Sequence, residues 1–136
     1  MGIFDRLFKS VSEPANQEQP TGLPWEMLES VEQFHNVVKN SSRKPKVIFK
    51  HSTRCGISRM VLKSFENGYS LKGGEAGFYL LDLLNFREVS SAVASELAVT
   101  HQSPQLIMLR NELVIHTDSH QGIDIRKVEE LILKNL

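Results

Sequence analysis

Cysteine is nearly missing from this chain: one thiol, Cys55, stands among 136 residues. A single cysteine cannot build an internal disulfide framework, and without a second there is no all-cysteine zinc site. The five histidines lack the short paired spacing of zinc ligands. Charge of one sign is missing too. Sixteen basic residues balance sixteen acidic ones with no basic block, so the electrostatic footprint of a nucleic-acid binder is absent. No apolar run approaches the roughly 20 residues of a membrane-spanning helix. No secretory apolar segment precedes a small-residue cleavage site, so the expected location is the cytoplasm. Gly73-Gly74 is followed by no Gly-Lys-Ser/Thr, which excludes a phosphate loop. What remains is a chain with 40% hydrophobic residues, enough for one core and hardly for two.

Two segments divide the chain. In residues 1–22, Ile3, Phe4, Leu7 and Phe8 share one helical face, which predicts a short amphipathic helix packing on the domain or a partner. No Ser or Thr follows Gly2 at the myristoylation position. The polar stretch Ser12 to Gly22, with two prolines, reads as a linker. Residues 23–136 then carry regular patterns. Trp25 to Leu28 can form a short strand, and Ser30-Val31-Glu32-Gln33 fits a capping box opening a helix whose apolar positions are Val31, Phe34 and Val38. His35 in that helix has no second ligand spaced to join it and takes no role.

Lys46-Val47-Ile48-Phe49-Lys50 has the β-branched and aromatic content of a central strand. Ile57, Met60, Val61 and Phe65 then recur at helical spacing, so the chain switches from strand to helix between His51 and Gly56. Gly77 to Leu84 supplies another strand, and Phe86, Val89, Val93 and Leu97 another helix. Gln105 to Arg110 and Leu113 to His116 are separated only by Asn111-Glu112, which predicts a two-residue hairpin. Asp124 is placed to cap a last helix with Ile125, Val128, Ile132 and Leu136 inward. A β-α-β unit, a helix, a hairpin and a final helix are the parts of a thioredoxin-like fold, an α/β fold with a central mixed sheet and helices on both faces. Periodicity alone leaves other α/β arrangements open.

Cys55 lies at the strand-to-helix switch, behind the polar run His51-Ser52-Thr53-Arg54. A thiol there is placed where a helix N-terminus favours its thiolate, with Arg54 or His51 as further cations, although Arg54 also reads as a solvated charge. Cys55-Gly56-Ile57-Ser58 looks like a Cys-x-x-Cys redox motif whose second cysteine is replaced by Ser58. Ser58 could equally be a plain serine on the helix surface. Ser103-Pro104 opens the hairpin, and His101 and His120 stand in loops they could brace by hydrogen bonds.

Phe49 to Cys55, Ile57-Ser58, His101 to Gln105 and Ser119-His120, taken together and in this order, resemble the YtxJ-type monothiol bacilliredoxins. The resemblance covers about residues 25–136. It implies that Cys55 is the nucleophile, that Ser58 occupies the place of a resolving cysteine, and that Pro104 is a cis-proline beside the site, with Thr53, Arg54, Gly56 and Ser103 shaping it. It also implies bacillithiol as the small thiol. Gly56 stands where the family commonly has proline, and Gln121 where it commonly has an aromatic residue. Cys-Gly-Ile-Ser also approaches the Cys-Gly-Phe-Ser motif of monothiol glutaredoxins that share an iron-sulfur cluster.

Cysteine arithmetic gives the mechanism expected of such a protein. Cys55 can attack a mixed disulfide between a protein and a low-molecular-weight thiol, but no second thiol in the chain can clear the adduct. The expected partners are therefore protein mixed disulfides and a small thiol as co-substrate, with no resident cofactor, and a monomer is favoured. The rivals are a dimer around an iron-sulfur cluster ligated by Cys55, and a non-catalytic interaction protein in which the thiol is an ordinary small hydrophobe.

Overall fold

A computed structural model describes residues 23–136. The helix expected at Ile3 to Phe8 and the linker expected at Ser12 to Gly22 lie outside the described residues. Five strands form one sheet: β1 (Trp25–Met27), β2 (Lys46–His51), β3 (Gly77–Asp82), β4 (Gln105–Arg110) and β5 (Leu113–Ser119), in the order β1-β3-β2-β4-β5. β2 runs parallel to β3 and antiparallel to β4, and β1 pairs parallel with β3 at the edge. Four α-helices intervene: α1 (Val31–Asn40), α2 (Gly56–Asn67), α3 (Arg87–Leu97) and α4 (Ile125–Lys134), with a 3-10 turn at His120–Gly122.

Alternation along the strands splits the core into two layers. Val47, Phe49, Phe78, Leu106 and Met108 face α2 and α4, meeting Val61, Phe65, Val128 and Ile132. Ile48, Tyr79, Leu81, Ile107 and Leu109 face α1 and α3, meeting Phe34, Val37, Val89 and Val93. The expected thioredoxin-like arrangement, a mixed sheet covered on both faces, is what the chain adopts.

Local chemistry fixes the joints. Ser30 Oγ accepts the amide of Gln33 at 3.0 Å, and Gln33 Oε1 accepts the amide of Glu29 at 2.7 Å, a capping box whose return bond lands one residue early. Asp124 caps α4 through the amide of Arg126. Asn111 and Glu112 turn the hairpin with φ of 56° and 63°, the left-handed pair whose twist matches the strands. At Gly68, which ends α2, a Cβ would stand 2.5 Å from Cγ2 of Ile125, so only glycine lets α4 approach this closely.

Three sequence expectations need correction. Ile57 and Met60 are not inward: they are exposed, and the buried face of α2 is Ser58, Val61 and Phe65. The helix is rotated because a polar residue takes the inward place in its first turn. Leu136 is exposed, since α4 ends at Lys134 before reaching it. The third strand stops at Asp82 rather than Leu84, because the Asp82 carboxylate accepts from both the backbone and the side-chain nitrogen of Asn85 and closes a turn there.

Candidate functional site

β2 is the central strand, and all six of its residues are buried, including Lys50 and His51 at its C-terminal end. From that end the chain makes one turn, closed by the Cys55 amide donating to the Ser52 carbonyl at 3.2 Å, and enters α2. Cys55 is the N-cap residue, with extended φ and ψ of −106° and 122°, and its side chain makes no capping hydrogen bond. Cys55 is half-buried and in no disulfide. It stands at the end of a helix where unpaired N–H groups and aligned peptide dipoles favour an anion.

Ser58 lies one turn into α2 and has no exposed surface. Its Oγ is 2.8 Å from Nδ1 of His51 and accepts the Ser52 amide at 3.1 Å. The reading of Ser58 as a plain serine on the helix surface is therefore excluded, because its hydroxyl is consumed in tying α2 to the end of β2. Burial pushes the His51 imidazole below its ordinary 6.5, Asp82 opposes this, and Arg59 adds to it. A neutral His51 satisfies both partners when Nδ1 accepts the Ser58 hydroxyl proton, leaving the other Ser58 lone pairs to the Ser52 amide.

The remaining sequence candidates fall into two groups. Thr53 and Arg54 are exposed beside Cys55, and the Thr53 carbonyl accepts from Nη1 of Arg59 at 3.1 Å. Gly56 is exposed at the first helical position, and a Cβ there would meet only Nη2 of Arg59 at 3.9 Å. Ser103-Pro104 is a cis peptide. It immediately precedes Gln105, which pairs with Lys50 across the β2–β4 ladder, so topology puts it at the same end of the sheet as the turn that bears Cys55. His101 and His120 have no side-chain hydrogen bond among the described residues. Their expected bracing role falls instead to the His120 amide, which donates to the Pro104 carbonyl at 3.0 Å.

Lys50 is the residue whose importance the sequence understated. It is wholly buried, its Nζ has no hydrogen-bond partner, and burial pushes its ammonium down to about 8. Its row on the sheet is Leu81-Lys50-Gln105, facing the α1/α3 side like Ile48. Gln105 Oε1 and Ser103 Oγ are also buried without partners. A strand pattern reading polar at both ends gave no sign that the lysine would be interior; only its place between two other strands does. Among the described residues, no group of three or more His, Cys, Asp or Glu side chains could hold a metal ion, and no helix is long and apolar enough to cross a membrane.

Two clefts open beside this end of the sheet. One, of about 300 Å³, is lined by Thr53, Arg54, Leu84, Asn85 and Arg87. The other, of about 640 Å³, runs along α3 from Leu83 and Arg87 to Thr100 and His101. Arg87 belongs to both.

Solved structures share this architecture. One described as a candidate oxidoreductase with a thioredoxin fold superposes with a TM-score of 0.70 at 24% identity, covering 83% of this chain and 97% of that one. A thioredoxin from Malassezia sympodialis gives 0.62 at 25% identity, covering 88% and 96%. A thioredoxin from Nicotiana alata gives 0.64 at 21% identity, again covering 88% and 96%. These likenesses carry the fold. The family follows from residues 26–128, which match monothiol bacilliredoxin BrxC and include the turn bearing Cys55, the inward Ser58 and the Ser103-Pro104 peptide. The chain belongs to the monothiol bacilliredoxin family, proteins of thiol-disulfide redox chemistry.

Proposed function

We propose that this protein removes a low-molecular-weight thiol, by family bacillithiol, from protein mixed disulfides in the cytoplasm, with Cys55 as the nucleophile. The observation that carries the reading is the pair of sites one helical turn apart. Cys55 caps α2 with an uncommitted sulfur, and Ser58, where a Cys-x-x-Cys motif would hold its second thiol, is a buried hydroxyl hydrogen-bonded to His51 and Ser52.

The chemistry is two exchanges. The Cys55 thiolate attacks the small-thiol sulfur of a protein–S–S–R disulfide. The old S–S bond breaks as the new Cys55–S–S–R bond forms, and the protein thiolate leaves and takes up a proton. A second R–SH, as thiolate, then attacks the R-side sulfur of Cys55–S–S–R, releasing R–S–S–R and restoring Cys55. Each step exchanges one disulfide for another, so the small thiol is the reductant and no resident cofactor enters. Ser58 offers no internal route, which makes the external thiol obligatory. In this reading Ser103-Pro104, at the same end of the sheet as the turn that bears Cys55, and Thr53, two residues before it, shape the site.

Intact-mass spectrometry after incubation with a bacillithiolated protein tests this. The expected result is transfer of the small thiol to Cys55, recovery of the free target thiol, and turnover when bacillithiol is added, all absent in Cys55→Ala. An adduct on Cys55 without release of target thiol would reduce the protein to a thiol acceptor. A brown dimer, its visible absorbance lost in Cys55→Ser, would instead establish the cluster-carrying alternative.

A further inference from the structure

The chain is neutral overall, yet the cleft beside Cys55 is not. Its lining holds two guanidinium groups, Arg54 and Arg87, and no carboxylate. Neither arginine makes an ion pair or hydrogen bond with any described residue. Asp82, whose carboxylate accepts from Asn85, and Glu88, next to Arg87 on α3, line neither cleft. The adjoining cleft along α3, which shares Arg87, is likewise free of carboxylates. Beneath this end of the sheet lies Lys50, whose buried ammonium has no partner and whose field reaches His101 in the wall of that second cleft.

Unpaired guanidinium groups in one concave site recognise planar anions, which they can hold through paired N–H donors. The cleft has no glycine-rich loop in its lining, and Arg87, the first residue of α3, brings that helix's N-terminus to its edge, which also favours an anion. Its volume, about 300 Å³, suits a small group rather than a peptide. Arg54 is the residue before Cys55, so the cleft adjoins the turn that bears the reactive sulfur.

We propose that the cleft formed by Thr53, Arg54, Leu84, Asn85 and Arg87 is the subsite for a carboxylate of the small thiol, so that the protein selects acidic thiols. The inference rests on the exchange reading above and deepens it: Cys55 supplies the reaction, and Arg54 and Arg87 supply the choice of R. The uncompensated Lys50 adds to the same positive field, which attracts an acidic thiol and disfavours a cationic one.

Two small disulfides of one shape and different charge test it: dithiodipropionate and its diamide. With reduced full-length protein, the expected result is exchange at Cys55 about tenfold faster with the dicarboxylate at low salt. The acid-to-amide ratio should fall toward one in the Arg54→Gln/Arg87→Gln double variant and at high ionic strength. Equal rates with both disulfides, or a preference that survives the double variant, would overturn the assignment. Exchange with neither disulfide would remove the exchange reading itself. The subsite is then decided by titrating nitrogen-labelled Cys55→Ser protein with methylthiopropionate and its amide. Saturable amide shifts at Arg54 and Asn85 with the acid alone, lost in Arg87→Gln, support it; no shift there overturns it.

Discussion

Nδ1 of His51 lies 2.8 Å from Oγ of Ser58, so the position that a second cysteine would take in a Cys-x-x-Cys motif is anchored to the central strand. Removing that hydroxyl leaves a buried imidazole nitrogen and the Ser52 amide without their partner. Ser58→Ala is expected to lower the unfolding free energy by about 1 to 3 kcal/mol, measured by urea denaturation. Exchange at Cys55 should persist, because the nucleophile does not depend on the serine. An unchanged stability would mean that water replaces the lost bond.

Ser58→Cys asks the opposite question. A thiol at the buried position recreates the spacing of a dithiol motif, and the expected outcome is an internal disulfide after the first exchange. Intact mass would show loss of the small-thiol adduct without any added second thiol. Persistence of the adduct would show that the inward position cannot reach Cys55.

Gly56 occupies the first helical position of α2, where no intrahelical N–H bond is forfeited and proline's fixed φ suits the helix. A Cβ there has room. Gly56→Pro is expected to raise stability by about 0.5 to 1 kcal/mol through the unfolded chain, read as a shift in the denaturation midpoint. A destabilised variant would show that the Gly56 amide serves the turn.

Acid should weaken the fold through His51. Burial first, and Arg59 next, hold its folded-state value below the ordinary 6.5, with Asp82 opposing. The unfolded chain therefore takes up the proton first, and stability present above pH 6.5 is lost as the pH falls below it. His101, lowered by burial and by Lys50, adds the same sign. The check is the denaturant midpoint across that range, with a shallower acid limb expected in His51→Gln.

Lys50 acts with the same sign in an alkaline window. Its ammonium is pushed down from 10.5 to about 8 by burial alone, so the unfolded chain binds the proton more tightly. The penalty is full below about 8 and gone above 10.5, at neutral pH a cost of about 3 kcal/mol. Lys50→Met keeps the stem's packing and discards the charge. It should stabilise the protein at pH 7, with the advantage over the natural chain shrinking as the pH rises from 8 toward 10.5.

The order of elements was legible because strand and helix differ in period, and Asn111-Glu112 fixed the hairpin by its length alone. Cys55 was legible from its place behind Phe49 and before the helical pattern. Ser58 and Lys50 were not, for one reason. Both are polar residues in interior places, and hydrophobic periodicity assigns polar residues outward. On α2 that rule pointed Ile57 and Met60 inward and left Ser58 undecided, whereas one hydrogen-bonded hydroxyl rotates the face by a residue. On β2 it marked Lys50 as a boundary, although the strand's central position in the sheet buries it. Arg54 and Arg87 are far apart in sequence, and only the turn after β3 gives them a common cleft.

Trp25, the only tryptophan in the chain, stacks on Phe65 of α2 at 6.1 Å between ring centroids and meets Phe49 of β2 edge-on at 5.9 Å. Its Nε1 donates to Glu66 at 2.7 Å. The indole thus touches the two elements that carry the reactive turn, from the opposite end of α2. Its emission is a built-in optical gauge of whether strand and helix are still docked, and it distinguishes a variant with an idle sulfur from one whose scaffold has come apart.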